Sequence, residues 1–528
     1  MSKVDHKIAV SMGKGTLFGV VASFTMIGTR FITVPIIVSH LGLGGYGIWS
    51  VIMTSAGYMR FGTAGLKSAF QKYVAEATAT GDYERANQLI TTGSAGLLVL
   101  SIVGLMPVAI FSKELAKIAG VPPVFLSATA ASFKVLAIIM MLSNFAAVYE
   151  AIVCGCNRVD IVRKFYMATA LFEAAAIAIC LLLKLGLLAM TVVMAVAEVG
   201  LIGACYVAAA RLLPEIRVRW RYLSPRVLRE LSRFAGSYQL LNVLQILSGS
   251  ILPFGILKLF GATISGIFAI STRVSNAAAS FQEASLLPLL SGGTLVYTSR
   301  ASEQIQLLMR KVFKWTLVAT VPPLAFASIF GATLIVAWTG ETDPMIRTGL
   351  WWLCAAAAFS AISRAGLILY RAHGGVSMDV VRQFLSMTLM LLGIAFGRSL
   401  GYYGVLAALA LSEAVGAVFM LYVIKRIVPE FHPSVLIPET ARVMLAISIV
   451  LTVGVITSVM PMPWHAGDHL AAWLRLGLAG IACAIVVWPA AVFTKCLSLA
   501  EQRALLEIFL PARIRRKTVL AGPGSAPE

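Results

Sequence analysis

The chain has 528 residues, 59% of them hydrophobic and only 12% charged, with a formal net charge of +20 at pH 7 and a mean hydropathy of +0.88. No soluble domain of this size could carry that composition, which leaves a polytopic membrane protein as the class. The basic excess raises nucleic acid as a partner, but the Lys and Arg residues fall at the ends of apolar runs, where membrane topology accounts for them, so no nucleic acid is expected.

A spanning helix takes roughly 20 residues. Fourteen apolar runs meet or approach that length: 15–39, 43–65, 89–112, 124–152, 166–183, 187–210, 234–257, 262–290, 315–338, 348–370, 383–397, 401–424, 443–462 and 476–494, the eleventh being the shortest. Lys3, Lys7 and Lys14 precede a first run too long for a signal-peptide core, and no small-residue cleavage site follows, so this helix is expected to be retained. The first span places Thr16, Ser23, Arg30 and Thr33 on one face and meets Pro35 near its outer end. The glycine-rich LGLGGYG then turns into a second span with Tyr46, Ser50, Thr54, Gly57, Tyr58 and Phe61 on one side and Arg60 near its inner end. The segment from Lys67 is amphipathic up to Thr80, breaks at Gly81-Asp82, and should lie along the membrane surface.

Arg211 to Arg233 is the one long polar segment. It carries Arg211, Arg217, Arg219, Arg221, Arg226, Arg229 and Arg233 against Glu215 and Glu230, and Pro214 and Pro225 interrupt any helix passing through it. It reads as a basic linker between a domain over 1–210 and another over 234–428, with 429–528 holding two extra helices and a basic tail. With the N-terminus inside, the outer loops hold only Lys113, Lys117, Lys184, Lys258, Arg347, Arg398 and Arg475 of the 43 Lys and Arg. That bias puts both termini in the cytoplasm. The cysteines (Cys154, Cys156, Cys180, Cys205, Cys354, Cys483, Cys496) are odd in number with no outward-facing pair, and read as free thiols.

Two inner loops match at a constant offset. Asp160-Ile161-Val162-Arg163-Lys164-Phe165 aligns with Asp379-Val380-Val381-Arg382-Gln383-Phe384 at an offset of 219, and the same offset places Gly47–Val51 on Gly266–Ile270. Further along, Glu198 aligns with Glu413 at an offset of 215. Helices 1–6 and 7–12 are therefore copies. Six helices return the chain to the same side, so the copies enter the membrane in the same direction and should be related by an axis along its normal, with a V-shaped cavity between them. The fold expected is an all-α polytopic membrane protein of two pseudo-symmetric six-helix bundles plus two C-terminal helices. The second copy supplies polar stripes: Tyr238, Asn242, Gln245 and Ser248 on helix seven, and Ser265, Arg273, Asn276, Ser280 and Glu283 on helix eight. Arg273 lies about 16 Å past the outer start of its helix, near the midplane.

From Leu41 to Leu89 the residues Gly44, Gly45, Tyr46, Gly47 and Trp49, then Gly57, Gly62 and Gly65, then Lys72, Tyr73, Ala75, Glu76, Gly81 and Asp82 resemble the start of the polysaccharide transporter family. These are Wzx-type flippases of the superfamily (MOP) that also holds the MATE drug exporters and the lipid II flippases. The resemblance implies a flippase of the bacterial inner membrane that moves an undecaprenyl-diphosphate-linked oligosaccharide to the outer leaflet by alternating access, for export or assembly of a cell-surface polysaccharide. The implied partners are that lipid-linked oligosaccharide, membrane lipids, and the glycan polymerase and glycosyltransferases of its pathway; no cofactor or metal is implied. The chain departs from many relatives, which carry an acidic residue before the second glycine pair, where it has Arg60-Phe61-Gly62-Thr63.

A diphosphate crossing a bilayer needs fixed cations in a wet cavity, and a charged side chain inside a span costs roughly 2.5–3.5 kcal/mol on insertion scales. Arg30 and Arg273 are the first candidates for the diphosphate, the alternative being buried pairs with Glu173, Glu198 or Glu413. Arg60 and Arg364 are further candidates, with snorkelling to headgroups as the alternative. Tyr238, Asn242, Gln245, Asn276 and Ser280 would line the cavity. Lys134 should pair with a nearby glutamate. Glu198, Glu413 and Glu173 are either coupling-ion sites or structural partners of the arginines. The intramembrane cations Arg30, Arg60, Lys134, Arg273 and Arg364 outnumber those three glutamates, so the cavity should be positive. A cation-coupled MATE-type exporter is the rival reading, although the first span holds Arg30 and no carboxylate. The loops are too short for a catalytic domain and no phosphate loop, metal cluster or nucleophile triad occurs, which argues against an enzyme.

Overall fold

Backbone polar groups in hydrocarbon must be satisfied internally, and a chain this apolar does so as helices. The computed structural model describes residues 3–60, 63–298, 302–372, 377–427, 436–459 and 469–496. In order the α-helices are α1 (Lys3–Met59), α2 (Thr63–Thr80), α3 (Tyr83–Ile110), α4 (Ser112–Ile118), α5 (Pro123–Gly155), α6 (Val159–Leu182), α7 (Gly186–Leu212), α8 (Pro225–Thr298), α9 (Ser302–Thr339), α10 (Pro344–Ala372), α11 (Ser377–Gly397), α12 (Gly401–Ile427), α13 (Leu436–Val459) and α14 (His469–Phe493). Eleven stretches among the described residues are long and apolar enough to cross a membrane. Three of them, Val21–Met59, Leu244–Ser280 and Ser377–Ile427, are 39, 37 and 51 residues long, about twice one crossing. Each is broken once, at Gly42, at Gly261 and at the 3-10 turn Arg398–Leu400, so each holds two spans, and the eleven resolve into fourteen.

The breaks carry the internal repeat into the backbone. Gly42 (φ 67°, ψ 175°) and Gly261 (φ 83°, ψ −179°) adopt the same glycine-favouring conformation, and they stand at the same offset as the aligned loops. Gly186 (φ 77°) and Gly401 (φ 74°) form a second such couple, opening α7 and α12 at the offset that relates Glu198 to Glu413. Asp160 and Asp379, equivalent in the aligned loops, are both buried and both face an arginine, Arg158 at 3.1 Å and Arg382 at 3.8 Å. Beyond the two long breaks, α1 and α8 cross with their backbones in contact. A methyl group on Gly47 would overlap the Ala262 carbonyl oxygen and the Gly266 nitrogen, and one on Gly266 would overlap the Leu43 carbonyl oxygen.

The chain divides into two compact units. The first comprises Met1–Ser275, Trp338–Ala356 and Val376–Gly416. One core of this unit joins Phe70 and Val74 of α2 to Ile90 and Leu97 of α3, Val148 and Ile152 of α5 and Val162 of α6. Helix α2 is amphipathic, burying Phe70, Val74 and Ala77 while Lys72, Glu76 and Thr80 stay exposed. Gly81 (φ 79°) stops it, and Asp82 caps α3 by accepting from the Arg85 amide at 3.1 Å. In the same unit Pro35 has no N–H to give the Phe31 carbonyl. The Trp338 indole N–H donates to that carbonyl at 2.7 Å while its ring stacks on Phe31 at 4.9 Å.

The second unit comprises Asn276–Ala337, Ala357–Gly375 and Ala417–Glu528. There α14 contributes Ala472, Leu476 and Ala479 to a cluster with Phe330 and Ala337 of α9, and Gly454 of α13 lets Cys483 and the Phe330 ring come close. Helices α13 and α14 pack against each other.

The glycine crossing gives a direct test. Gly47→Val and Gly266→Val should each lower the melting temperature of the purified protein, at an overpacking penalty of about 1–3 kcal/mol. Gly57 has nothing within 4 Å of its would-be Cβ, so Gly57→Ala should be neutral or stabilising. Equal melting temperatures for Gly47→Val and Gly57→Ala would refute the close crossing.

Candidate functional site

The crossing of α1 and α8 brings the two foremost arginines together. Arg30, Arg273 and Tyr46 lie within one another's electrostatic reach, and Glu173 of α6 is the carboxylate that acts on Arg30. Tyr46 is 1% exposed. Its hydroxyl feels both arginines, but Arg273 falls short of a formed hydrogen bond to it, so this buried O–H has no partner of ordinary geometry. Among the described residues neither Arg30 nor Arg273 forms an ion pair within 4.0 Å. Among the described residues the two guanidinium groups thus act on each other and on Tyr46, and Glu173 is the carboxylate that acts on Arg30.

A second polar cluster is built from paired charges. Arg60 pairs with Glu198, and the other carboxylate oxygen of Glu198 accepts from the Ser143 hydroxyl. Glu198 is 5% exposed, whereas the Arg60 side chain keeps 40% of its surface. Beside them Lys67 pairs with Glu150, which also accepts from the Tyr166 hydroxyl at 2.9 Å. These six side chains line a cavity of about 80 Å³ together with Asn144 and Cys205. Asn144 donates to the Met59 carbonyl and to Ser101, both at 2.9 Å, tying the end of α1 to α3 and α5. Glu173 lies in the field of Arg30 on one side and of Arg60 and Glu198 on the other. The two clusters therefore share a carboxylate, and all of these residues belong to the first unit.

The other candidates are dispersed. Gln245 is exposed on the first half of α8; Asn276 and Ser280 are exposed further along it, Ser280 donating to the Ala277 carbonyl at 2.7 Å. The side chains of Tyr238 and Asn242 lie outside the described residues. Arg364 is exposed on α10 in the second unit. Glu413 is half-buried on α12, with one carboxylate oxygen buried and unpartnered among the described residues. Lys134 is exposed on α5, and no glutamate pairs with it among the described residues. Among them, too, no three His, Cys, Asp or Glu side chains gather as a metal site. Sequence reasoning passed over Ser143, Lys67 and Tyr166. A signal for Ser143 existed, since Ser143, Ala147 and Glu150 recur at helical spacing on one face of α5.

No family model matches the chain, and no curated protein does. Solved structures do. A lipid II flippase, MurJ, in an inward closed conformation superposes with a TM-score of 0.69 at 13% identity, over 91% of this chain and 99% of that one. An inward-facing multidrug resistance MATE family transporter of the MOP superfamily gives 0.64 at 15% identity, over 76% and 94%. The MATE multidrug transporter DinF-BH gives 0.53 at 14% identity, over 81% and 96%. At such identities the likeness shows the fold: this chain has the helical architecture of MOP-superfamily transporters.

The paired cluster predicts a coupled loss. Arg60→Ala leaves the Glu198 charge with Ser143 as its remaining partner among the described residues, which should destabilise the purified protein by about 1–3 kcal/mol, below the range for fully buried pairs because Arg60 is partly solvated. The double variant Arg60→Ala/Glu198→Ala should recover part of that loss in a thermal melt. Simple additivity of the two single losses would contradict the pairing.

Proposed function

We propose that the chain is a flippase for a diphosphate-linked oligosaccharide carried on a polyprenyl lipid, working by alternating access and feeding assembly of a surface polysaccharide in the bacterial inner membrane. The observation that carries this reading is the pair Arg30 and Arg273, two cations inside spanning helices without an ion-pair partner among the described residues. Intramembrane charges are seldom kept without a partner or a task, and a two-phosphate headgroup supplies both. A guanidinium holds phosphate oxygens in a bidentate fork, and Tyr46 can add its buried hydroxyl as a further donor. The likeness to a lipid II flippase over nearly the whole chain supports a lipid-borne substrate on this fold. The exposed polar groups Gln245, Asn276 and Ser280 would meet the sugar, with Arg364 as a further cation. In this reading 1–210 and 234–428 are the two alternating bundles, 211–233 connects them on the cytoplasmic side with both termini, and 429–528 is an addition. Glycosyltransferases and a polymerase of the same pathway would supply and consume the substrate.

Arg273 is the residue to change first. With surface glycan normalised to the amount of the protein in the membrane, Arg273→Ala should reduce export at least tenfold while the protein still accumulates, and Arg273→Lys should restore only part. Normal export from a well-expressed alanine variant would rule out the diphosphate role. A positive transport assay for cationic drugs that survives Arg273→Ala would instead favour an exporter of the MATE type.

A further inference from the structure

The linker after α7 is built as a fixed strap. Asn87 of α3 holds it twice, accepting from the Arg217 amide at 2.7 Å and donating to the Glu215 carbonyl at 3.1 Å. One turn on, Thr91 accepts from the Arg219 amide at 3.4 Å, and Thr92 accepts from the Ser224 amide at 3.1 Å and donates to the Tyr222 carbonyl at 3.5 Å. Leu213 and Ile216 are buried beneath it in the core that also holds Phe70 and Ile90, and Val227 is buried against Leu89. The irregular chain between α7 and α8 thus has most of its anchoring in backbone groups and apolar side chains, and none of it depends on an arginine side chain bonding to α3.

The arginine side chains are exposed instead, although the Arg217 Nε donates back to the Pro214 carbonyl at 3.1 Å within the strap. Arg217, Arg219, Arg221 and Arg226 are exposed, and between them stand Trp220, 74% exposed, and Leu223, 42% exposed. The Arg221 guanidinium sits over the Tyr222 ring, 4.7 Å from its centroid, and donates to the Tyr222 hydroxyl at 2.6 Å. The depth of this surface follows from its anchors. Helix α3 opens with the charged Glu84 and Arg85, and its apolar run starts at Leu89, so the anchors Asn87, Thr91 and Thr92 straddle the point where the helix enters the hydrocarbon. The strap covers about 7.5 Å of α3 at that level. Arginines with an indole and a leucine at the membrane boundary meet phosphate and glycerol with the first and acyl-chain carbon with the second.

We propose that the strap from Arg217 to Arg226 is a binding surface for anionic phospholipid headgroups of the leaflet on its side of the membrane. It is separate from the Arg30–Arg273 site and does not rest on the flippase reading. Charge complementarity selects the occupant: Glu215 is the one acidic residue between Arg211 and Arg229, and the exposed apolar side chains suit a lipid surface more than a soluble acidic partner.

The test uses the full-length protein in nanodiscs of phosphatidylcholine mixed with phosphatidylglycerol, with the lipids retained on gentle extraction counted by native mass spectrometry. Wild type should retain phosphatidylglycerol in preference to phosphatidylcholine. The triple variant Arg217→Gln/Arg219→Gln/Arg221→Gln keeps every anchor to α3 and loses only the exposed bonds of Arg217 to Pro214 and of Arg221 to Tyr222, so it should fold and melt close to wild type, yet lose the preference roughly tenfold or more, at about fivefold per arginine near an anionic surface. Trp220→Ala should lower retention of both lipids. Lys113→Gln/Lys117→Gln, which removes two exposed cations from α4, should leave the preference unchanged. An undiminished preference in the triple variant would overturn the proposal, and so would an equal loss from the α4 double variant. If the triple variant melts lower than wild type, Arg219→Gln alone provides the same comparison on a fold with two fewer changes, and a preference unaltered there would also count against the strap.

Discussion

The backbone-to-backbone crossing of α1 and α8 at Gly47 and Gly266 positions the charged groups of the first unit. Helices separated by ordinary side chains lie about 8–10 Å apart; with glycine on both surfaces they close further, and the side chains beside the contact are pressed together. Tyr46 is the immediate neighbour of Gly47, and Arg273 lies two turns beyond Gly266. Tyr46 is buried in this region, and its hydroxyl lies within the electrostatic reach of the arginine of the other repeat without a formed hydrogen bond to it. The kinks at Gly42 and Gly261 redirect each helix just before the crossing, so equivalent points of the two copies supply both the bend and the contact. Neither could be built with a Cβ in place.

Around that crossing the protein keeps charge in two ways. Arg60 with Glu198, and Lys67 with Glu150, are neutral pairs whose remaining valences go to Ser143 and Tyr166. In such a cluster removing one member is costly because its partner is left behind. Arg30 and Arg273 are held by the same helices without such an ion pair among the described residues. The contrast is what the proposed ligand site rests on, and composition alone does not draw it, since Arg30 and Arg60 are residues of the same type at the start of the chain.

Much of the architecture was legible. Fourteen crossings follow from run length, because hydrocarbon thickness fixes how many apolar residues a helix needs. The repeat was visible at Asp160 and Asp379, and the same offset also relates the kinks at Gly42 and Gly261, whose conformation no hydropathy pattern encodes. The proximity of Arg30 and Arg273, which are distant in the sequence, depends on how two helices cross; periodicity placed each on a polar face but could not pair the faces. The pairing of Arg60 with Glu198, equally remote along the chain, was open for the same reason. Lys134 shows the limit from the other side: its sequence setting suggested a glutamate partner, yet it is exposed and unpaired among the described residues.

Glu173 connects the two kinds of site. It interacts with Arg30 and with Arg60, and it feels repulsion from Glu198. An anion seated between Arg30 and Arg273 would compete with Glu173 for Arg30, so the carboxylate would lean more on Arg60, which Glu198 already holds. Coulomb interactions in a low-dielectric setting decay slowly enough for such a shift to be felt across one helix diameter. The arrangement therefore needs no chain of moving side chains to let the paired cluster sense the ligand. In the reading proposed above, linkage makes the coupling mutual: if an anion at Arg30 and Arg273 changes the strength of the Arg60–Glu198 pair, loss of that pair changes anion affinity by the same coupling free energy.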